Sequence, residues 1–226
     1  MEEQIKMEER VKIEKRGEME KPMEQGVDTK EKILLTALEL FAREGYEAVS
    51  VSSIAGALGL TKGALYKHYR SKRDIFDHIV ERMVEIDARR SRQYQVPEAA
   101  YEENAAAYGD VAWESVRAFT AAQLTFWTED GFARSFRRML VLEQYRSEEM
   151  AELYHSCLVE GPMAYMAHIF GERMDRGLLR RADPQQLAME YYAPLFFLMT
   201  CSDRDGAQGQ ALLAQHMERF FQHNRA

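Results

Sequence analysis

The fold is decided by the stretch IAGALGLTKGALYKHYRSKRDIF, Ile54–Phe76. Ile54, Ala55 and Leu58 fall at helical spacing, and Ser50 just upstream has the hydroxyl that caps free amides at a helix start. Gly59 supplies the left-handed residue of a sharp turn. Thr61 caps a second short helix, Lys62–Tyr69, in which Leu65 and Tyr69 stand four apart and face the core. Lys62 then stacks with Tyr66, Gly63 with Lys67 and Ala64 with His68 on the outward side. Ser71 caps a further helix, with Asp74 three places on as a capping box. Two short helices joined by a tight glycine turn have the dimensions of a helix-turn-helix, whose second helix enters the major groove of DNA. Gly63 and Ala64 leave room for close backbone approach, and Tyr66, Lys67 and His68 can donate to phosphates or base edges. Ser50 and Thr61, at helix N-termini, suit phosphate. Lys72 opens the next helix within reach of the flanking backbone.

Charge supports the same surface by its distribution. The chain has 226 residues and a formal net charge of −7, which taken alone argues against a nucleic-acid partner. From Ala48 through Arg73, however, there is no Asp or Glu, while Lys62, Lys67, His68, Arg70, Lys72 and Arg73 all fall there. Such an island marks an anion-binding face; on charge alone, a chance run on a solvated surface is the competing explanation.

Upstream, Asp28 with Glu31 reads as a capping box opening a helix with the apolar stripe Ile33, Leu34, Ala37, Leu38, Phe41, and Gly45 reads as its left-handed stop. Residues 1–27 are almost entirely Glu, Lys, Met and Arg, and are expected to be a disordered tail. Downstream, helical patterns span Lys72–Gln93, Asp110–Thr128, Phe132–Tyr145, Glu148–Arg176, Pro184–Ser202 and Gly209–His223, with Val96–Gly109 left unassigned. Gly161-Pro162 and Pro194 fall inside two of these patterns and predict kinks or breaks, since an interior proline removes an amide donor. Strand-type alternation is missing, so the expected class is all-α. The expected division is a tail at 1–27, a helix-turn-helix domain at 28–71, and a helical effector-binding and dimerisation domain at 72–226.

Several function classes are disfavoured. The apolar run Tyr191–Cys201 falls short of the roughly 20 residues a spanning helix needs, and the N-terminus lacks the apolar core of a signal peptide. Cys157 and Cys201 read as reduced thiols, and the expected compartment is the cytoplasm. No phosphate loop, nucleophile elbow or His-Glu-x-x-His pattern occurs. His155 and Cys157, two apart on a helix, point in nearly opposite directions and cannot grip one ion. Neither a metal nor a cofactor is implied, and an enzyme is the least favoured reading.

The segment Lys32–Phe76, and above all Ile54–Phe76, resembles the DNA-binding domain of the TetR (tetracycline-repressor-like) regulators. The match includes the Ser/Thr-capped helix, the Ile-Ala pair, the small-Leu-Gly turn, Lys-Gly-small-Leu-Tyr, the aromatic at Tyr69, and Ser-Lys-basic-acid-hydrophobic-Phe beyond it. Ser53 stands where an acid or another polar residue is common, and Tyr69 where Phe is usual. The resemblance implies a DNA-binding regulator, a repressor that leaves double-stranded operator DNA when a small lipophilic effector binds. It casts Tyr66, His68 and Lys72 as phosphate clamps and Lys62, Ala64 and Lys67 as base-contacting candidates. It also implies a second helical domain holding a ligand pocket and a homodimer interface. Control by a protein partner instead of a small molecule is the alternative.

The aromatic-rich helices suit such a pocket. Trp113, Phe126, Trp127, Phe136, Met139, Glu143, Met163 and Met166 are its candidate lining, against the plain alternative that aromatic stripes are core. Glu143 and Glu160 hint at a cationic partner, with solvated carboxylates the competing reading. The wide stripes of the last two helices, carried by Leu187, Tyr191, Leu195, Leu213, Met217 and Phe220, suggest burial of both faces by pairing across a two-fold axis. Two reading helices must lie about 34–36 Å apart to enter successive major grooves, which a dimer supplies.

Overall fold

The computed structural model describes residues 28–96, 112–201 and 206–226. The charged tail at 1–27 and nearly all of the unassigned segment lie outside the described residues. The elements are α1 (Thr29–Glu44), α2 (Val51–Ala57), α3 (Lys62–Leu65), α4 (Lys72–Gln93), α5 (Trp113–Glu129), α6 (Gly131–Glu143), α7 (Glu148–Leu158), α8 (Glu160–Asp175), α9 (Pro184–Cys201) and α10 (Gly206–Asn224). Among the described residues there is no strand, only an isolated bridge between Leu179 and Arg225. The class is all-α.

Local chemistry sets the boundaries. Ser50 Oγ accepts from Ser53 N–H while Ser53 Oγ accepts from Ser50 N–H, a reciprocal box that ties down amides at the start of α2. Thr61 and Ser71 cap α3 and α4 through Ala64 N–H and Asp74 N–H. At α1 the expected box is only half formed. Asp28 accepts from Lys30 N–H, but Glu31 pairs with Arg82 of α4 instead of reaching back. A cation on a packed neighbour outcompetes an exposed amide for that carboxylate. α3 is shorter than expected, because residues 66–68 continue as a turn, not as helix. The long pattern Glu148–Arg176 breaks at Val159 into α7 and α8, just before Gly161-Pro162, whereas α9 runs on through Pro194.

Ile33, Leu38, Phe41, Ile54, Leu65, Tyr69, Ile75 and Phe76 form a sealed core under the first three helices and the start of α4. The Tyr69 hydroxyl donates to Lys30 O, and burial pushes its pKa up to about 12. α1 lies against α6, and α4 runs on from the amino-terminal domain into the helical half. α5, α9, α8 and α10 close the second core around Phe170, Tyr191 and Phe220. The two halves are thus joined by the continuous helix α4 and by the packing of α1 on α6.

Candidate nucleic-acid interface and ligand cavity

The outward side of α2–α3 carries the side chains expected there. Leu65 and Tyr69 are buried, which turns Lys62, Gly63, Tyr66 and Lys67 outward. Lys62 Nζ lies 5.8 Å from the Tyr66 ring centroid, so cation and phenol share one ridge. The Ser50 and Thr61 oxygens accept backbone amides, which leaves the Thr61 hydroxyl proton to donate outward. Ala64 and His68 are half-buried beside them. Lys72 is placed differently. Its ammonium donates to Tyr46 O at 2.8 Å and sits 4.2 Å from the Tyr46 ring centroid, holding the turn that follows α1.

That turn is where the two halves meet. Gly45 has φ 88°, a conformation that favours glycine, and a Cβ there would lie 2.5 Å from Arg146 Nη1 and 2.6 Å from Glu143 Oε1, so those side-chain ends would have to shift. Glu143 Oε1 accepts Tyr46 N–H at 2.9 Å and Arg146 Nη1–H at 3.0 Å. A chain of contacts therefore runs from Glu143 of α6 through the Tyr46 peptide to Lys72 at the head of α4. Nearby, Arg73 grips Glu149 of α7 with two hydrogen bonds, 2.9 and 2.6 Å, and also binds Asp77. Those carboxylates hold the Arg73 guanidinium above its usual range, and the hydrogen bonds from Arg73 draw the Glu149 carboxyl below its own.

A cavity of about 450 Å³ lies in the helical half. α4 supplies Val80, Met83, Val84, Asp87 and Ser91 to its wall; α5 supplies Phe119, Thr120, Gln123 and Trp127. Phe136 comes from α6, Leu153, Ser156 and Cys157 from α7, and Gly161, Pro162, Tyr165 and Met166 from α8. α9 closes it with Tyr191, Tyr192, Leu195 and Met199. Of the candidates read from sequence, the cavity brings together Trp127, Phe136 and Met166. Outside its lining lie Trp113, Phe126, Met139, Glu143 and Met163. Trp113 packs on Phe221 beneath the Arg173 guanidinium, Phe126 lies under Arg90, and Met139 is fully buried in the core. Glu143 is not solvated; it is the buried link just described. Glu160 is exposed and lies within ion-pair distance of His155.

Asp87 and Ser91 were not singled out by sequence reasoning. Their signal is a polar pair at positions that continue the inward stripe Val80, Met83 of α4. Tyr191 and Leu195 belong to this cavity wall as well. With Leu187, Leu213, Met217 and Phe220 they are buried within the single chain, which corrects their assignment to a dimer surface. Each wide stripe contains two faces, and these six residues form the inner one. The outer face of α9 shows Met189 at 57% and Phe197 at 63% exposure, one turn either side of Ala193. Among the described residues, no cluster of three His, Cys, Asp or Glu side chains could hold a metal, and no helix is long and apolar enough to cross a membrane.

Residues 33–79 match the model of the bacterial regulatory proteins of the tetR family. The HTH-type transcriptional regulator AcrR of Shigella flexneri is 40% identical over 58 residues, 26% of this chain and 27% of that protein. The HTH-type transcriptional repressor BepR of Brucella suis biovar 1 is 38% identical over 58 residues, 26% of this chain and 28% of its own. The chain thus spans little more than a quarter of the length of these relatives. In fold the likeness is far longer. The SmeT–triclosan complex superposes with a TM-score of 0.62 at 18% identity, covering 88% of this chain and 92% of SmeT. SmeT is the repressor of the Stenotrophomonas maltophilia multidrug efflux pump SmeDEF.

Proposed function

We propose that this chain is a regulator of the TetR family, a sequence-specific transcriptional repressor which a small lipophilic effector releases from operator DNA. The carrying observation is the ridge Lys62–Tyr66–Lys67 standing outward on α3 and the turn after it, pinned by buried Leu65 and Tyr69, within the segment that matches the family. Lys62, Ala64 and Lys67 address base edges; Tyr66, His68, Ser50 and Thr61 address phosphates, and Gly63 lets the groove approach the backbone. Lys72 serves through the Tyr46 turn, fixing the pose of the reading head while its stem flanks the DNA backbone. Residues 28–71 form the reading domain and 72–226 the effector and dimerisation domain. The chain works in the cytoplasm, where its operator is.

Two copies pair through the outer face of α9, with Met189, Ala193 and Phe197 at its centre and Leu212 of α10 beside it. An exposed apolar strip of this kind on paired terminal helices suits a four-helix contact across a two-fold axis. The effector occupies the cavity among α4–α9. α4 forms one wall and also carries the reading head, so a ligand that displaces α4 or α7 strains the Arg73–Glu149 and Glu143–Tyr46 links and changes the spacing of the two heads. Effector and DNA must then prefer different arrangements of those links.

Selection of bound sequences from random DNA at fixed salt tests the reading, comparing the native chain with Lys62→Ala plus Tyr66→Ala. A two-fold symmetric site should be enriched by the native protein and lost by the variant. Enrichment of the same site by both would remove this surface from the mechanism. Saturable binding of a small lipophile that lowers operator affinity separates effector control from control by a protein partner.

A further inference from the structure

We infer that Tyr192 is a positioning residue for the reading head: from the cavity wall its hydroxyl supplies the donor that Pro162 lacks, and so fastens the far end of α7. Its bearing on DNA rests on the effector-controlled repressor proposed above. α7 is lightly held. Of its eleven residues only Met150 and Leu158, one near each end, are buried. The side chains it gives to the cavity, Leu153, Ser156 and Cys157, are half-buried or exposed. A helix with so few buried apolar contacts opens at low cost unless its ends are tied. Both ends are. In the first turn Glu149 accepts two hydrogen bonds from Arg73 of α4. At the last residue, Leu158 O accepts from the Tyr192 hydroxyl of α9 at 2.7 Å.

The sequence explains why that carbonyl needs a side-chain donor. In a continuous helix Leu158 O would accept from the amide four residues on, but residue 162 is Pro and has none. Val159, at φ −127° and ψ −78°, leaves the helical region, and α8 starts with no side-chain cap. Gly161 lets the two backbones meet there, since a Cβ on it would collide with the Ser156 carbonyl oxygen. Leu158 and Tyr192 are both buried, so water is poorly placed to replace the hydroxyl. Burial also raises the Tyr192 pKa, which keeps the proton in place. The same tyrosine lines the cavity, beside Gly161 and Pro162. A guest that pushes its ring aside, or draws its proton to an acceptor of its own, strands Leu158 O in a buried place. That penalty favours an arrangement in which the end of α7 turns toward water. Eleven helical residues make a rod about 16 Å long, so a tilt at Leu158 is felt at Glu149 and, through Arg73, at the head of α4.

Four full-length proteins test this: the native chain, Tyr192→Phe, Pro162→Ala and the double variant. Phenylalanine keeps the ring and removes only the hydroxyl. In hydrogen exchange followed by mass spectrometry, Tyr192→Phe should speed exchange across residues 149–158 about tenfold, with α1–α3 within about twofold of native. Pro162→Ala restores an amide four residues after Leu158, so Tyr192→Phe added to it should change α7 exchange by less than about twofold. That rescue separates a hydrogen bond to Leu158 O from packing of the ring. On a DNA site enriched from random sequence, ligand-free Tyr192→Phe should bind about threefold more weakly than the native chain, as much as a half-exposed ion pair can transmit. In an Arg73→Ala background the same substitution should leave DNA affinity unchanged. Native exchange rates in α7 of Tyr192→Phe, or a loosening that Pro162→Ala does not rescue, would overturn the fastening. Selective loosening of α7 with undiminished DNA affinity would overturn the positioning role and leave the repressor reading intact. If the native chain enriches no site, the repressor reading falls and the positioning role with it, while exchange still decides whether the hydroxyl holds α7.

Discussion

The reading head and the helical half are built from the same material but turn their polar chemistry in opposite directions. Under α1–α3 the core of Ile33, Phe41, Ile54 and Leu65 is apolar apart from the Tyr69 hydroxyl, which is spent on Lys30 O, and the groups that can meet a partner stand outside it. In the helical half the polar residues Thr120, Tyr191 and Asp87 line a cavity instead. DNA is a surface that docks from outside, whereas a small lipophile is bound only if protein replaces its water. A substitution on the reading surface should therefore separate binding from stability, and one on the cavity wall or at the junction should not.

The sharpest contrast lies within α3. Leu65→Ala removes a side chain with 0% exposure and should cost about 3 kcal/mol in urea unfolding, the usual range for a core truncation. Lys62→Ala, three residues away, should stay within about 0.5 kcal/mol of the native chain while operator affinity falls about tenfold. Equal destabilisation by both would mean that Lys62 is structural and that the proposed separation is false.

The junction comes next in size. Glu143→Ala strands the Tyr46 amide and a buried site, and should cost about 2 kcal/mol; Glu143→Gln keeps an acceptor for that amide and should lose less than half as much. Gly45→Ala should follow at about 1–2 kcal/mol, since φ 88° is strained for any residue with a Cβ, even though the ends of Glu143 and Arg146 can move aside. Both should also loosen the coupling of effector to operator, read as a smaller change in DNA affinity at saturating ligand. Unchanged coupling in a destabilised Glu143→Ala protein would make the junction a strut only.

The same contrast governs what could be read from the chain before its structure. The caps Ser50, Thr61 and Ser71, the Gly59 turn and the outward ridge follow from short-range chemistry, and each is where spacing puts it. Stripes of the last two helices carry a wider ambiguity: i, i+1, i+4, i+5 is satisfied by an inner and an outer face at once, and only packing told Tyr191 from Phe197. Glu143 could not be placed at all, because its partner amide lies 97 residues away. Lys72 was visible as a cation near the motif, but the carbonyl it binds belongs to a turn 26 residues earlier.

The smallest expected effect concerns the second link across the junction. Arg73 and Glu149 are each about half exposed, so salt screens their attraction and a stability change on breaking it should be slight at neutral pH. The link has a recognisable pH signature nonetheless. The hydrogen bonds from Arg73 draw the Glu149 carboxyl below its ordinary value of 4.5, so the folded state binds its proton less readily than the unfolded chain does. Its contribution is complete above that value and is lost as pH falls through the lower, folded one. Thermal melts between about pH 5 and pH 3, at low and at high salt, should show the native chain losing more than Arg73→Ala over that acid window, and the difference should shrink in salt. Parallel acid limbs for the two proteins would mean that α7 is not tied to the reading head through this pair. Effector control would then run across the Glu143–Tyr46 contact and α4 alone.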